Sequence, residues 1–189
     1  GDLTVAENID FHGGIHRLAA ACLRERKDWV LSMAGLRGRE TALTRDLSGG
    51  WKQRLALGCA ILHQPDILFL DEPTTGQDHR GRRRVAELIR NLNESGSTVI
   101  VITHDMRFVA EVARRIVLVA GGKVVADGQT REIFEKTDIL AEAQIRPPQI
   151  TQLARALADC GVPSNLMTVS EAADSIGNLI AKGRNHSGG

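Results

Sequence analysis

Two apolar runs of strand length, separated by one amphipathic pattern, constrain the fold of this 189-residue chain more than any other feature. The runs are ILFLD at 67–71 and STVIVIT at 97–103, and neither alternates polar with apolar residues. Continuous apolar runs of this length are typical of parallel strands that are buried on both faces. Between the runs lies a helical pattern whose apolar residues share one face: Val85, Leu88, Ile89 and Leu92. The order strand, helix, strand therefore predicts an α/β core with a parallel sheet.

Further patterns along the chain predict helices and one hairpin. Apolar residues at helical spacing predict helices over 16–34, 49–63 and 105–113. The segment 115–128 predicts two strands around the turn Gly121-Gly122. After Gly128 the pattern becomes helical, and Thr168 with Glu171 predicts a capping box at the start of a last helix. We expect a small helical extension at the C-terminal end.

Composition narrows the class of protein. Hydrophobic residues make up 42% of the chain, which favours a globular protein. The formal net charge is +1, so charge gives no reason to expect nucleic acid as a partner. The basic run at 80–84 is interpreted as a solvated helix face. No apolar run approaches 20 residues, so no segment of this sequence is predicted to cross a membrane. Three cysteines are expected to be reduced, and buried rather than reactive: Cys22, Cys59 and Cys160.

Three segments carry residues that suit phosphate chemistry. Asp71 ends the first apolar run, where an acidic residue commonly holds Mg²⁺, and Glu72 follows it in a position to polarise a water molecule. His104 follows the second run, and ligands of open α/β sheets bind beyond the carboxyl ends of the strands. We therefore expect Asp71, Glu72 and His104 to share one crevice. Two solvated carboxylates and a structural histidine are the alternative interpretation.

The third segment is LSGG at 47–50, directly before a predicted helix. Ser48, Gly49 and Gly50 leave backbone N–H groups and the positive end of the helix accessible to an anion. The alternative interpretation of this segment is an ordinary N-cap by Ser48 followed by flexible glycines.

Taken together, these segments resemble the ATP-binding cassette (ABC) ATPase family. LSGGWKQR resembles the family signature, ILFLDEP the Walker B strand with its catalytic glutamate, TGQD the D-loop and ITHD the switch histidine, in the family's order. The resemblance implies a P-loop NTPase-like core with ATP and Mg²⁺ as ligands, and two cassettes that pair head to tail. It implies that Asp71, Glu72 and His104 serve this subunit's own ATP. Ser48, Gly49 and Gly50 would serve the ATP of the partner, and Asp78 would lie at the dimer interface.

Two features depart from the family pattern. Trp51 stands where the signature usually has glutamine, and we interpret it as packing against a neighbouring helix. The sequence also contains no G-x-x-x-x-G-K-[ST] phosphate loop. The chain is accordingly expected to resemble the C-terminal part of a cassette. On its own it is expected to be inactive, since phosphoryl transfer depends on positioning and electrostatic stabilisation.

The resemblance also suggests domains, partners and location. Residues 1–46 are assigned to a helical signature subdomain, 47–128 to the ATPase core and 129–189 to the helical extension. The partners implied are a second ABC ATPase subunit and transmembrane transporter subunits, at the inner face of the cell membrane. The tail resembles energy-coupling-factor importers of vitamins, cobalt or nickel, whereas the signature region resembles exporters. A soluble ABC ATPase acting on nucleic acid or ribosomes, and a non-hydrolysing interaction module, are the remaining alternatives.

Overall fold

The computed structural model describes residues 1–186 and the side chains of residues 1–181. It divides the chain into two compact units, Gly1–Ile102 and Thr103–Gly189. This division concerns packing alone, and the functional boundaries at residues 46 and 128 stay predictions.

Three helices of the first unit pack around one apolar core. They are α1 (Val5–Ile15), α2 (Ala20–Ala34) and α3 (Gly49–Ile61). The core residues come from these helices and the loops between them: Val5, Ile9, Val30, Leu31, Ala34, Leu36, Leu47, Leu55, Cys59 and Leu62. Gly58 permits the close approach of α2 and α3, because a Cβ there would lie 2.5 Å from Val30 Cγ1.

The ends of these helices follow local sequence signals. The predicted end of the helix over 16–34 is confirmed: α2 ends before Gly35, which has a φ of 68° and whose N–H donates to the carbonyls of Leu31 and Ser32. Helix α1 was not predicted, although Thr4 and Glu7 form a capping box at its start. The T-x-x-E spacing is the signal that identifies this helix in the sequence.

The two apolar runs form a parallel pair of strands, as predicted. They are β1 (Ile67–Asp71) and β2 (Thr98–Ile102), joined through α4 (His79–Glu94), which packs against β2. The register runs from Ile67 opposite Thr98 to Asp71 opposite Ile102. The α/β fold class with a parallel sheet is therefore confirmed.

Burial of both strand faces, however, was wrongly predicted. Leu68 and Leu70 are buried, whereas Phe69 on the opposite face of β1 is 67% exposed. The same face of β2 carries Ile100 and Ile102, which are also exposed. Apolar residues on a strand face indicate that the face is suited to burial. The residues that the structure describes, however, cover only one face of this sheet.

The second unit contains a hairpin and several short helices. Helix α5 (Met106–Val112) precedes β3 (Arg115–Ala120) and β4 (Lys123–Gln129), which pair antiparallel around Gly121 and Gly122 as predicted. The helices that follow are α6 (Thr130–Glu135), α7 (Thr137–Glu142), α8 (Gln149–Ala156) and α9 (Val169–His186). The capping box of α9 is confirmed, because the Glu171 N–H donates to Thr168 Oγ1 at 3.3 Å and the Thr168 N–H donates to Glu171 Oε2 at 3.4 Å.

Cysteine burial only partly follows the prediction. Cys59 is buried in the first unit, and burial raises the pKa of its thiol to about 11. Cys22 is half-buried, and Cys160 is exposed, so the expectation of burial is wrong for Cys160. Cys160 is the last residue of a short 3₁₀ helix, Ala158–Cys160, in the second unit.

Within residues 1–186, no helix combines the length and the apolar character that a membrane span requires.

Candidate functional site

Glu72 is held in an uncommon backbone conformation directly after β1. Its φ is 44°, whereas a residue before proline prefers a φ near about −120°. The Glu72 N–H donates to the Ile102 carbonyl at 2.8 Å. The Glu72 carbonyl accepts hydrogen bonds from the Thr75 N–H at 3.1 Å and from Gln53 Nε2 at 2.9 Å. Such strain persists where surrounding contacts fix the residue, and it concentrates at functional sites.

Asp71 lies beside Glu72 as the last residue of β1, opposite Ile102 of β2, and its side chain is exposed. Among the side chains of residues 1–181, no group of three or more His, Cys, Asp or Glu residues is arranged for a metal ion. The single carboxylate of Asp71 still fits Mg²⁺, because Mg²⁺ in nucleotide sites is bound by one or two carboxylates together with phosphates and water. Asp71 is the residue of β1 placed to supply such a carboxylate.

The start of α3 presents backbone N–H groups at a turn of small residues. Ser48 occupies the N-cap position without a side-chain cap bond, and its carbonyl accepts from the N–H groups of Trp51 and Lys52 at 3.0 Å each. Gly49 and Gly50 form the first two positions of the helix. A Cβ on Gly50 would lie 3.4 Å from the Gly76 carbonyl, which is close to ordinary van der Waals contact. The positive end of a helix with uncapped N–H groups is suited to an anion.

A buried polar network joins α3 to the segment after Glu72. Gln77 Nε2 donates to the Gly50 carbonyl at 3.0 Å and to Gln53 Oε1 at 3.3 Å. Arg54 Nη1 donates to Gln77 Oε1 at 2.9 Å, and Arg54 Nε donates to the Ala34 carbonyl at 2.9 Å. The sequence did not reveal this network; its only trace is a charged Arg54 at the start of an otherwise apolar helix segment.

Asp78 caps α4. Its carboxylate accepts a hydrogen bond of 2.6 Å from the Gly81 N–H, as an N-cap residue commonly does. The side chain is exposed, and its placement at a dimer interface stays a prediction.

Trp51 packs as the sequence interpretation expected. It is half-buried against the core of α1–α3, and the Arg39 guanidinium lies 3.6 Å from the centroid of its ring. Arg39 and Trp51 thus form a cation–π pair at the first turn of α3.

The structure places six of the seven predicted site residues in the first unit, and only His104 belongs to the second. His104 comes two residues after the end of β2. Glu72 is joined to α3 by the Gln53 hydrogen bond, whereas the predicted approach of His104 to Glu72 stays a prediction.

Sequence and structure comparisons identify the family. The family described as ABC transporter matches residues 1–75. A putative ABC transporter ATP-binding protein of Methanosarcina acetivorans is 41% identical over 150 residues, which are 79% of this chain and 24% of that protein. The energy-coupling factor transporter ATP-binding protein EcfA1 of Caldanaerobacter subterraneus is 38% identical over 157 residues, 82% of this chain and 56% of that protein.

A solved structure gives the same result. The structure of cbiO1 from Clostridium perfringens, described as part of the ABC transporter complex cbiONQ, superposes with a TM-score of 0.63 and 28% sequence identity. The match covers 81% of this chain and 61% of that one. The chain spans 24% of the length of the Methanosarcina relative and 56% of the length of the Caldanaerobacter relative. The motifs, the parallel sheet and these similarities agree, and the chain belongs to the family of ABC transporter ATP-binding proteins.

Proposed function

We propose that this chain supplies the catalytic glutamate and the signature turn of an ATP-hydrolysing subunit that powers an ABC transporter. The observation that carries the proposal is the fixation of Glu72 at the carboxyl end of β1. Its backbone makes three hydrogen bonds there, next to the Asp71 carboxylate. A carboxylate held in this way can orient a water molecule without reorganisation during the reaction.

Each predicted site residue has a distinct role in the proposed reaction. Glu72 accepts a proton from the attacking water and orients it, which is the usual task of a positioned carboxylate. Asp71 holds Mg²⁺, and His104 contacts the γ-phosphate. When bound, Mg²⁺ neutralises charge on the phosphates of ATP.

Under this proposal, each ATP site of a dimer is completed by residues of both subunits. Ser48, Gly49 and Gly50 present the N-terminal end of α3 to ATP bound by a second ABC ATPase subunit, and Asp78 lies at the interface. The uncapped start of α3 supports this role, because an anion there is favoured by the helix dipole. The dimer would act with transmembrane subunits at the inner face of the membrane.

Import is the proposed direction of transport. Support comes from two relatives, one named as an energy-coupling factor transporter protein and one described as part of the cbiONQ complex. We propose a metal ion or a vitamin as the transported substrate. The membrane subunits, rather than residues of this chain, would select it.

The first experiment compares Mg-ATP binding and hydrolysis by two proteins. One is the 189-residue chain, and the other is the same chain with a G-x-x-x-x-G-K-[ST] loop segment added at its N-terminus. We expect turnover only from the extended protein, and loss of turnover when the lysine of the added loop is changed to alanine. Hydrolysis by the unextended chain would overturn the expectation that it is inactive alone, and inactivity of both would overturn the ATPase proposal.

A further inference from the structure

Three side chains form a continuous hydrogen-bonded path from the core of the first unit to the backbone of Glu72. The path runs from Arg54 to Gln77, from Gln77 to Gln53, and from Gln53 to the Glu72 carbonyl. Arg54 is 7% exposed and Gln77 is 8% exposed, so competition from water for the hydrogen bond between them is small. Gln53 is half-buried.

The chemistry of Arg54 fixes the orientation of both amides. A guanidinium only donates hydrogen bonds, so the oxygen of Gln77 must face Arg54. The Gln77 nitrogen then faces the Gly50 carbonyl at 3.0 Å and Gln53 Oε1 at 3.3 Å. Because Gln53 presents its oxygen to Gln77, its nitrogen faces the Glu72 carbonyl at 2.9 Å. An inverted Gln53 would set two donors against each other and two oxygens against each other.

The acceptor at the end of this path belongs to a strained residue. Glu72 has a φ of 44° and precedes Pro73, which supplies no N–H of its own to the turn. The two donors to the Glu72 carbonyl, Gln53 Nε2 and the Thr75 N–H, hold the peptide that follows Glu72 in place. Without Gln53, the strained conformation loses one of its three backbone hydrogen bonds, and relaxation of φ turns the Glu72 carboxylate away from its present direction.

We propose that Gln53 is a positioning residue that holds Glu72 in its catalytic conformation, with its own orientation set by Gln77 and Arg54. The path also includes the Gly50 carbonyl, so it joins the signature turn of this chain to the glutamate of the same chain. The catalytic part of this inference rests on the proposed function. The conformational part does not, because it concerns only the backbone of Glu72.

The first test measures amide hydrogen exchange in the 189-residue chain carrying Gln53→Met. Methionine keeps the length and helix propensity of glutamine and removes only its hydrogen bonds. We expect the Thr75 and Glu72 amides to exchange about tenfold faster, the effect of one lost hydrogen bond. Lys27→Met on α2 is the matched control, because it also removes one side-chain hydrogen bond, the one to Asp10 Oδ2. The Phe108 amide, capped by Asp105 in the second unit, serves as an internal reference.

The second test measures ATP turnover by the extended protein that carries a phosphate loop. Gln53→Met should lower kcat about tenfold and leave the KM for ATP within about twofold. Gln53→Glu should lower kcat further, because it places a carboxylate oxygen against the Glu72 carbonyl. Lys27→Met should leave both constants unchanged.

The outcomes separate the two proposals. Unchanged exchange at Thr75 and Glu72 in Gln53→Met would overturn the positioning role, whatever the extended protein does. Faster exchange with unchanged kcat in an active extended protein would overturn its catalytic part. Absence of turnover from the extended wild-type protein would overturn the proposed function, while faster exchange in Gln53→Met would still establish the conformational role. A drop in kcat matched by an equal loss of folded protein, measured by thermal unfolding, would also count against positioning.

Discussion

The guanidinium of Arg54 and the side-chain oxygen of Gln77 are hydrogen bonded at 2.9 Å, and both side chains are buried. Burial lowers the pKa of Arg54, and the charge of Arg84 acts in the same direction, whereas the charge of Asp78 opposes both. Arg54 donates hydrogen bonds to neutral oxygens of Gln77 and Ala34. A buried cation with neutral acceptors is costly to keep, and its hydrogen bonds join α3 to the end of α2 and to the turn before α4.

Replacement of Arg54 by methionine tests the contribution of this contact to stability. Arg54→Met keeps an unbranched apolar stem but leaves the Gln77 and Ala34 oxygens without their donor. We expect the free energy of unfolding to fall by about 2–4 kcal/mol, as measured by urea denaturation. Arg24→Met on the exposed side of α2 is the control and should stay within about 0.5 kcal/mol of wild type. Equal effects of the two substitutions would show that the buried hydrogen bonds are dispensable.

Gly81, in the first turn of α4, packs against the same hydrogen-bonded network. A Cβ on Gly81 would lie 2.4 Å from Gln77 Oε1 and 3.0 Å from Asp78 Oδ1. Gly81→Ala should therefore lower the free energy of unfolding by about 1–3 kcal/mol, since the displaced atoms belong to hydrogen-bonded side chains.

The matched control is Gly14→Ala in α1, where a Cβ would meet nothing within 4 Å. That substitution should raise stability by about 0.5–1 kcal/mol, because alanine restricts the unfolded chain and favours helix. A stabilising effect at both positions, measured by thermal unfolding, would contradict the close packing around Gly81.

The sequence predicted the parts of this fold that depend on local patterns. The parallel pairing of β1 and β2, the hairpin around Gly121 and the stop at Gly35 follow from periodicity and turn chemistry. The position of Glu72 at the end of β1 follows from the same pattern. Its positive φ does not, because an Asp-Glu-Pro sequence has no local requirement for that conformation.

Local sequence patterns do not predict the buried hydrogen-bonded network. Gln53, Arg54 and Gln77 are residue types common at protein surfaces. Arg54 and Gln77 are nevertheless buried, and Gln53 is half-buried, where α3 approaches the segment before α4. Helical or strand periodicity describes one element at a time and gives no information on polar contacts between elements. Phe69 shows the complementary limit: its apolar strand predicts a covering layer, whereas the sequence pattern does not reveal which residues would supply it.

Substitution of Glu72 by glutamine tests the proposed catalytic role. In the extended protein with a phosphate loop, Glu72→Gln should lower kcat by about 10²–10⁴-fold, the usual contribution of a general base. ATP binding should be preserved, because the amide keeps the shape of the side chain and the backbone hydrogen bonds to Ile102 and Gln53 do not involve it.

Asp66→Asn is the control for removal of a carboxylate at the opposite end of β1. Asp66 is exposed and joins the sheet through its carbonyl, which accepts from the Thr98 N–H at 2.7 Å. Turnover of the Asp66 variant should match that of wild type. Wild-type turnover in Glu72→Gln would remove Glu72 from the proposed role.

The second unit has a pH-dependent contact at Glu171. Its carboxylate accepts hydrogen bonds from the Met167 N–H at 2.7 Å and from Arg131 Nη2 at 2.7 Å. Partial burial raises the pKa of Glu171, but these hydrogen bonds, the Arg131 charge and the Thr168 N–H outweigh it, so the pKa lies below its ordinary value of 4.5. A lowered pKa in the folded state means that the unfolded chain binds the proton more tightly. The stabilisation is therefore present above pH 4.5 and is lost as the pH falls through the lower folded value.

Glu171→Gln should consequently destabilise the protein at neutral pH and have less effect in acid. We expect the free energy of unfolding at pH 7 to fall by about 0.5–1.5 kcal/mol, the range for hydrogen bonds of this kind. The difference from wild type should shrink as the pH falls below 4.5 and through the lowered pKa of folded Glu171, because the wild-type carboxylate then becomes protonated. Glu135→Gln, an exposed position at the end of α6, should show no such convergence in urea unfolding series over the same pH range. A difference at Glu171 that stays constant with pH would mean that its charge contributes nothing, since a shape effect alone is independent of protonation.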